Sequence, residues 1–174
     1  MNPVLARWNA LPPGDAAAEI LSCCGSRAWA AQIAAMRPFA DEQTLFAAAD
    51  RCWRNLPEAD WLEAFRSHPR IGEKHAQSKT TAASAAWSSA EQSQMKAADA
   101  AILLRMQQGH REYEERFGRI FIVCASGKQP AEMLQMLERR LSNDPAEELL
   151  ESAAQQQQIM QLRLGKWLAG LGAA

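Results

Sequence analysis

One short run in this chain, Ile120-Phe121-Ile122-Val123-Cys124, has the continuous apolar, β-branched character of a strand, and no second run exists to pair with it. A sheet needs partners, so the remaining chain must fold as helices around a single extended segment. Composition agrees, because Ala, Leu, Gln, Glu and Arg dominate and β-branched residues are few. The 174 residues suit one domain, 1–174, able to bury roughly 70% of its unfolded-chain surface. The expectation is an all-α fold: a single compact bundle of about seven or eight helices with one buried extended segment. Such a segment leaves backbone N–H and C=O groups that must find partners, and a polar ligand is one way to supply them.

Helix boundaries follow from local signals. Pro12-Pro13-Gly14 marks a turn, and Asp15 is placed to cap a helix ending near Cys24. Ser26 caps the next, which stops before Arg37-Pro38 because Pro disfavours helix at its predecessor. A third runs from near Asp41, with Leu45, Ala49, Cys52 and Trp53 on one face. Pro57 fits the first position of a fourth, whose Trp61, Leu62 and Phe65 lead to His68. Residues 73–87 read as a mobile loop. A long helix is expected from Ser88 through Met95, Ile102, Met106 and Tyr113 to Phe117, with Gly109 able to interrupt it and Gly118 ending it. Pro130 opens another helix, and Asp144-Pro145-Ala146-Glu147 caps the last, which ends near Gly170.

Several function classes drop out. The net charge is −1, with acids and bases interspersed, which gives no footprint for nucleic acid or an anionic membrane. No apolar run approaches the roughly 20 residues that span a bilayer, and residues 1–10 lack a signal-peptide core. Four cysteines with a vicinal pair and no C-x-x-C spacing read as reduced, buried thiols of a cytoplasmic protein. His68, His75 and His110 share no metal-ligand spacing, so no metal is expected; His110, among Arg111, Glu112, Glu114 and Glu115, reads as part of a solvated face.

Three features could carry chemistry. In Ser67-His68-Pro69-Arg70-Ile71-Gly72, Pro69 forces His68 out of the preceding helix and Gly72 permits a tight turn, which holds an imidazole at a helix-to-loop break. In Ser88-Ser89-Ala90-Glu91-Gln92, Ser88 and Glu91 match a capping box, but Glu91 could equally face a pocket beside free helix N–H donors. Arg163, between Leu162 and Leu164, either snorkels to the surface or offers its guanidinium to a substrate carboxylate or carbonyl.

Together these pieces resemble the 2-oxo-4-hydroxy-4-carboxy-5-ureidoimidazoline (OHCU) decarboxylases of purine catabolism. The matching stretches are Arg37-Pro38-Phe39, Ser67 to Gly72, Ser88 with Glu91-Gln92, Arg116-Phe117-Gly118, Phe121 to Cys124, and Leu162-Arg163-Leu164, in order along nearly the whole chain. The resemblance implies an all-helical enzyme with no cofactor that converts OHCU to (S)-allantoin and carbon dioxide. It implies His68 as catalytic acid/base and Glu91 as its partner. It also implies that Pro69, Ser88, Ser89, Ala90, Glu91 and Gln92, the backbone of Phe121, Ile122, Val123, Cys124 and Ala125, and Arg163 bind the substrate. The expected partner is this small molecule, with no nucleic acid and no membrane; a homodimer is compatible with the sequence. The alternative from another class is a non-catalytic helical protein-interaction module in which His68-Pro69 only ends a helix.

Overall fold

Proline and short polar side chains set the helix starts in the computed structural model, which describes residues 2–71, 86, 87 and 99–171. The helices among them are α1 (Pro3–Asn9), α2 (Pro13–Cys24), α3 (Arg27–Ala35), α4 (Glu42–Arg54), α5 (Glu58–Arg66), α6 (Ala100–Phe117), α7 (Pro130–Arg140) and α8 (Pro145–Leu168). Asn2 caps α1, Ser26 caps α3 and Asp144 caps α8, each through its side-chain oxygen. Asp41 and Thr44 form a reciprocal capping box on α4. The all-α expectation holds: the described residues contain helices and no strand.

Four local expectations need correction. Asp15 sits in the first turn of α2 and does not cap it, because Pro12 and Pro13 already fix the entry backbone. Pro57 precedes α5 as its cap residue, so the helix starts at Glu58. The long helix does not run unbroken from Ser88: Asp99 is non-helical (φ −59°, ψ 144°), and its carboxylate caps a fresh start at Ala100. His110 is buried on the inner face of α6, its ring centroid 6.0 Å from that of Phe121. Gly109 leaves α6 intact; its missing side chain lets Leu137 of α7 approach, where a Cβ would lie 2.8 Å from Leu137 Cδ2.

The longest helix, α8, packs against α1, α2, α4 and α5 and forms the spine of the larger core. A second core lies between α6 and α7. The extended segment divides the two. Ile120, Ile122 and Cys124 pack into the first core, whereas Phe121, Val123 and Ala125 enter the second. This strict alternation is the period of an extended chain, here buried on both faces with no sheet beside it.

The α2–α3 junction positions the end of α5. Gly25 closes α2 at φ 85°, a left-handed conformation that favours glycine. A Cβ there would lie 2.2 Å from Ser67 Oγ and 2.7 Å from Ser67 Cβ, one residue before His68. Gly25→Ala should therefore cost about 2–4 kcal/mol, adding the left-handed penalty to the overlap. Ser67→Gly in the same chain should recover the overlap part, as measured by urea unfolding. Equal stability of Gly25→Ala and the parent would show that Ser67 is not held against this turn.

Candidate active site

α5 ends at Ser67, whose N–H and hydroxyl both donate to the Ala64 carbonyl, and the His68 N–H donates to the Phe65 carbonyl at 3.2 Å. The helical bonding thus stops at His68, and the half-buried Pro69 follows it. The imidazole is left on a fixed stub of backbone. Its Nε2 is buried and has no hydrogen-bond partner among the described residues.

Two residues of α8 approach this ring. Gln156 donates from Nε2 to the Cys24 carbonyl at 3.0 Å, which fixes the carboxamide and leaves Oε1 unbonded. That oxygen does not complete a well-formed hydrogen bond with the imidazole, yet it lies close enough to raise the His68 pKa. Two turns further on, Arg163 is fully buried, with Nη1 3.5 Å from the Ser22 carbonyl. Burial and the Arg163 charge outweigh Gln156 and push the His68 pKa down to about 3. Both influences favour the neutral ring at physiological pH. The surface reading of Arg163 is overturned.

On its other side His68 lines a partly open cavity of about 540 Å³ between the ends of α5 and α6. Leu62, Phe65, Glu114, Phe117, Arg119 and Ile120 share that wall, which does not include Gln156, Arg163 or residues 121–125. Arg70 closes the Glu114 side, with Nη2 2.7 Å from Glu114 Oε2, and holds that carboxyl below its usual range. Arg119 keeps Nε and Nη2 buried and without a hydrogen bond among the described residues, while its guanidinium stacks 5.6 Å from the Phe117 ring.

The extended segment is tied to the helices by side chains. Arg140 Nη1 donates to the Ile122 carbonyl at 2.7 Å, the Cys124 N–H donates to Gln155 Oε1 at 2.9 Å, and Lys128 Nζ donates to the Cys124 carbonyl at 2.7 Å. Arg140 is itself gripped by Glu148, with both side chains fully buried. Tyr113 donates its hydroxyl to the same carboxylate, and burial with that charge raises its pKa to about 12.

The structure therefore brings His68 and Arg163 together and anchors the Phe121–Ala125 segment to α8, the helix that carries Arg163. Ser88, Ser89, Ala90, Glu91 and Gln92, and most of the 73–87 loop, lie outside the described residues. Sequence reasoning missed Gln155, Gln156, Arg140, Glu148 and Arg119. The first two and Glu148 had a detectable signal: Glu148, Ser152, Gln155, Gln156 and Arg163 recur at helical spacing along the buried face of α8. Among the described residues no cluster of His, Cys, Asp or Glu could hold a metal, and the four cysteines are buried and form no disulfide among the described residues. No described helix is long and apolar enough to cross a membrane.

An all-helical bundle that holds a neutral imidazole between a cavity and a buried guanidinium has the make-up of an enzyme that moves protons on a small polar molecule. The chain belongs to the OHCU decarboxylase family, whose sequence model matches residues 9–165. It is 34% identical over 144 residues to the uric acid degradation bifunctional protein TTL of Arabidopsis thaliana, covering 83% of this chain and 44% of that protein, less than half its length. It is 34% identical over 137 residues to the OHCU decarboxylase of Amia calva, covering 78% of this chain and 77% of that one. A crystal structure of OHCU decarboxylase in the presence of (S)-allantoin superposes with a TM-score of 0.74 at 34% identity, covering 87% of this chain and 97% of the other.

The His68 shift has a sign that stability can report. Its folded pKa of about 3 lies below the ordinary 6.5, so the unfolded chain binds more protons between these values. The stabilisation from a neutral His68 is complete above 6.5 and drains as pH falls toward 3, by up to about 1.4 kcal/mol per pH unit. The thermal midpoint of the parent should accordingly fall more steeply than that of His68→Asn between about pH 6.5 and pH 4.5. Parallel curves would mean that His68 is not desolvated.

Proposed function

We propose that this chain decarboxylates OHCU to (S)-allantoin and carbon dioxide in urate degradation, with His68 as the proton-transfer group. The observation that carries the reading is the likeness, over 97% of its length, to an OHCU decarboxylase crystallised in the presence of (S)-allantoin. The His68 imidazole, with Nε2 shut off from solvent and its pKa lowered, supports it from the chemistry.

In this substrate the carboxylate leaves a ring carbon that also bears a hydroxyl and adjoins a ring C=N. As the bond to the carboxylate breaks, its electron pair moves through the ring carbon–carbon bond to the C=N nitrogen, which takes one proton from solvent. An enol remains. Its hydroxyl gives up a proton to form the ring carbonyl, and the neighbouring carbon, which carries the ureido group, is protonated from one face. A neutral His68 suits the acceptance of the hydroxyl proton, since imidazolium could not accept it. Glu91 is read as the carboxylate that partners it, and Arg163 as the cation facing the oxygen on which negative charge develops. Because the C=N receives the electron pair, the route has no step that needs a metal or redox cofactor. Pro69, Ser88 to Gln92 and the backbone of Phe121 to Ala125 are read as the substrate-contacting remainder. The same reading places the enzyme in the cytoplasm as a single domain, alone or as a homodimer.

The test follows the absorbance of freshly generated OHCU against its spontaneous decay. The parent should accelerate the decay, and His68→Asn and Glu91→Gln should each lose at least about 100-fold in kcat while remaining folded. Arg163→Lys should raise KM more than it lowers kcat, because Lys keeps the charge and loses the planar fork. A folded His68→Asn enzyme with full turnover would exclude His68 from the chemistry.

A further inference from the structure

In an extended chain the N–H and C=O of one residue point to one edge, and those of its neighbours point to the other. The alternation of residues 120–125 between the two cores brings this rule into force here. The even positions are bonded: the Ile122 carbonyl by Arg140, the Cys124 N–H by Gln155 and the Cys124 carbonyl by Lys128. All three bonds fall on one edge. On the opposite edge Val123 is 5% exposed, and its N–H and C=O make no hydrogen bond among the described residues. A buried donor and acceptor of one residue, left together without partners, form the complement of an amide or ureido unit.

We propose that Arg140 and Gln155 are positioning residues for the reaction: by holding one edge of the segment they aim the Val123 N–H and C=O at the amide or ureido portion of the substrate. The proposal rests on the decarboxylase reading above. Peptide planarity supplies the geometry. The Ile122 carbonyl and the Val123 N–H belong to one trans peptide and point in opposite directions, so Arg140's hold on the carbonyl turns the N–H outward. The Val123 carbonyl and the Cys124 N–H belong to the next peptide, and Gln155's hold on that N–H turns the carbonyl outward in the same sense. Arg140 has little freedom to do otherwise. Its Nε lies 3.0 Å from Glu148 Oε1, its Nη2 lies 3.0 Å from Ser152 Oγ, and its guanidinium stacks 4.5 Å from the Phe121 ring.

The test compares Gln155→Leu with Gln155→Glu, reading KM for OHCU and the dissociation constant of (S)-allantoin. Leu removes the acceptor, whereas Glu keeps an oxygen at the same reach. Gln155→Leu should raise KM and the (S)-allantoin constant together by about 10-fold, with a smaller change in kcat. Gln155→Glu should bring both back to within about threefold of the parent. A folded Gln155→Leu with both values unchanged, or equal impairment of the two variants, would overturn the proposal. The Arg140 arm uses Arg140→Met with Glu148→Leu, which removes both charges and strands neither, and should raise the same two constants. Should that pair not fold, Arg140→Lys replaces it, since one ammonium lacks the fork that serves Glu148 and the Ile122 carbonyl together. Unchanged constants in the folded variant would remove Arg140 from the proposal. A parent that does not hasten OHCU loss refutes the decarboxylase reading, and (S)-allantoin binding then judges the positioning role by itself. A parent that neither hastens OHCU loss nor binds (S)-allantoin refutes both.

Discussion

The fully buried pair of Arg140 and Glu148 is the contact on which the other parts of the molecule converge. Glu148 of α8 receives Arg140 of α7, Tyr113 of α6 and Asn143 of the α7–α8 turn. Arg140 in turn holds the Ile122 carbonyl of the extended segment. Two charges removed from water are costly, and their mutual attraction offsets that cost only with good geometry and further hydrogen bonds, all of which are present here. Loss of either partner would strand a charge, at about 3–5 kcal/mol. The pair therefore adds less to net stability than to uniqueness: it ties three helices and the segment in one arrangement.

From Glu148 the polar stripe of α8 continues toward the imidazole. Ser152 contacts Glu148 and Arg140, Gln155 takes the Cys124 N–H, Gln156 takes the Cys24 carbonyl, and Arg163 lies beyond. One helix thus carries Gln155, Gln156 and Arg163, while Arg140, Lys128 and the α6 rings of His110 and Tyr113 reach the segment from elsewhere. A cation beside the half-buried His68, whose Nε2 is shut off from solvent, works with desolvation, and both favour the neutral ring. The neighbouring thiols experience the same surroundings: burial outweighs the Arg163 charge and raises the Cys23 pKa to about 12, keeping it protonated.

The helical class was legible because a lone strand-like run cannot form a sheet, and helix starts at Ser26, Asp41 and Asp144 were legible because capping is local chemistry. His68 stood out through Pro69 for the same reason. What the sequence hid was tertiary. Nothing within four residues of His110 reveals that Phe121 covers it, and flanking charges argue the opposite. Asp99 as a helix start was masked by continuous helix-forming residues on both sides. The role of Gln155 and Gln156 lay hidden within Gln155-Gln156-Gln157-Gln158, where only the register of α8 separates inward from outward positions. Arg140 and Glu148 each look like ordinary surface charges until the turn between α7 and α8 brings them together.

The central claim is that the fold holds His68 as a neutral proton acceptor. The most direct measurement is a pH titration of the His68 ring by NMR of its imidazole nitrogens, in the parent and in Arg163→Gln. The account predicts a ring that stays neutral down to about pH 4.5 in the parent, with the midpoint moved upward when the Arg163 charge is removed. A parent midpoint near 6.5, insensitive to Arg163, would contradict it.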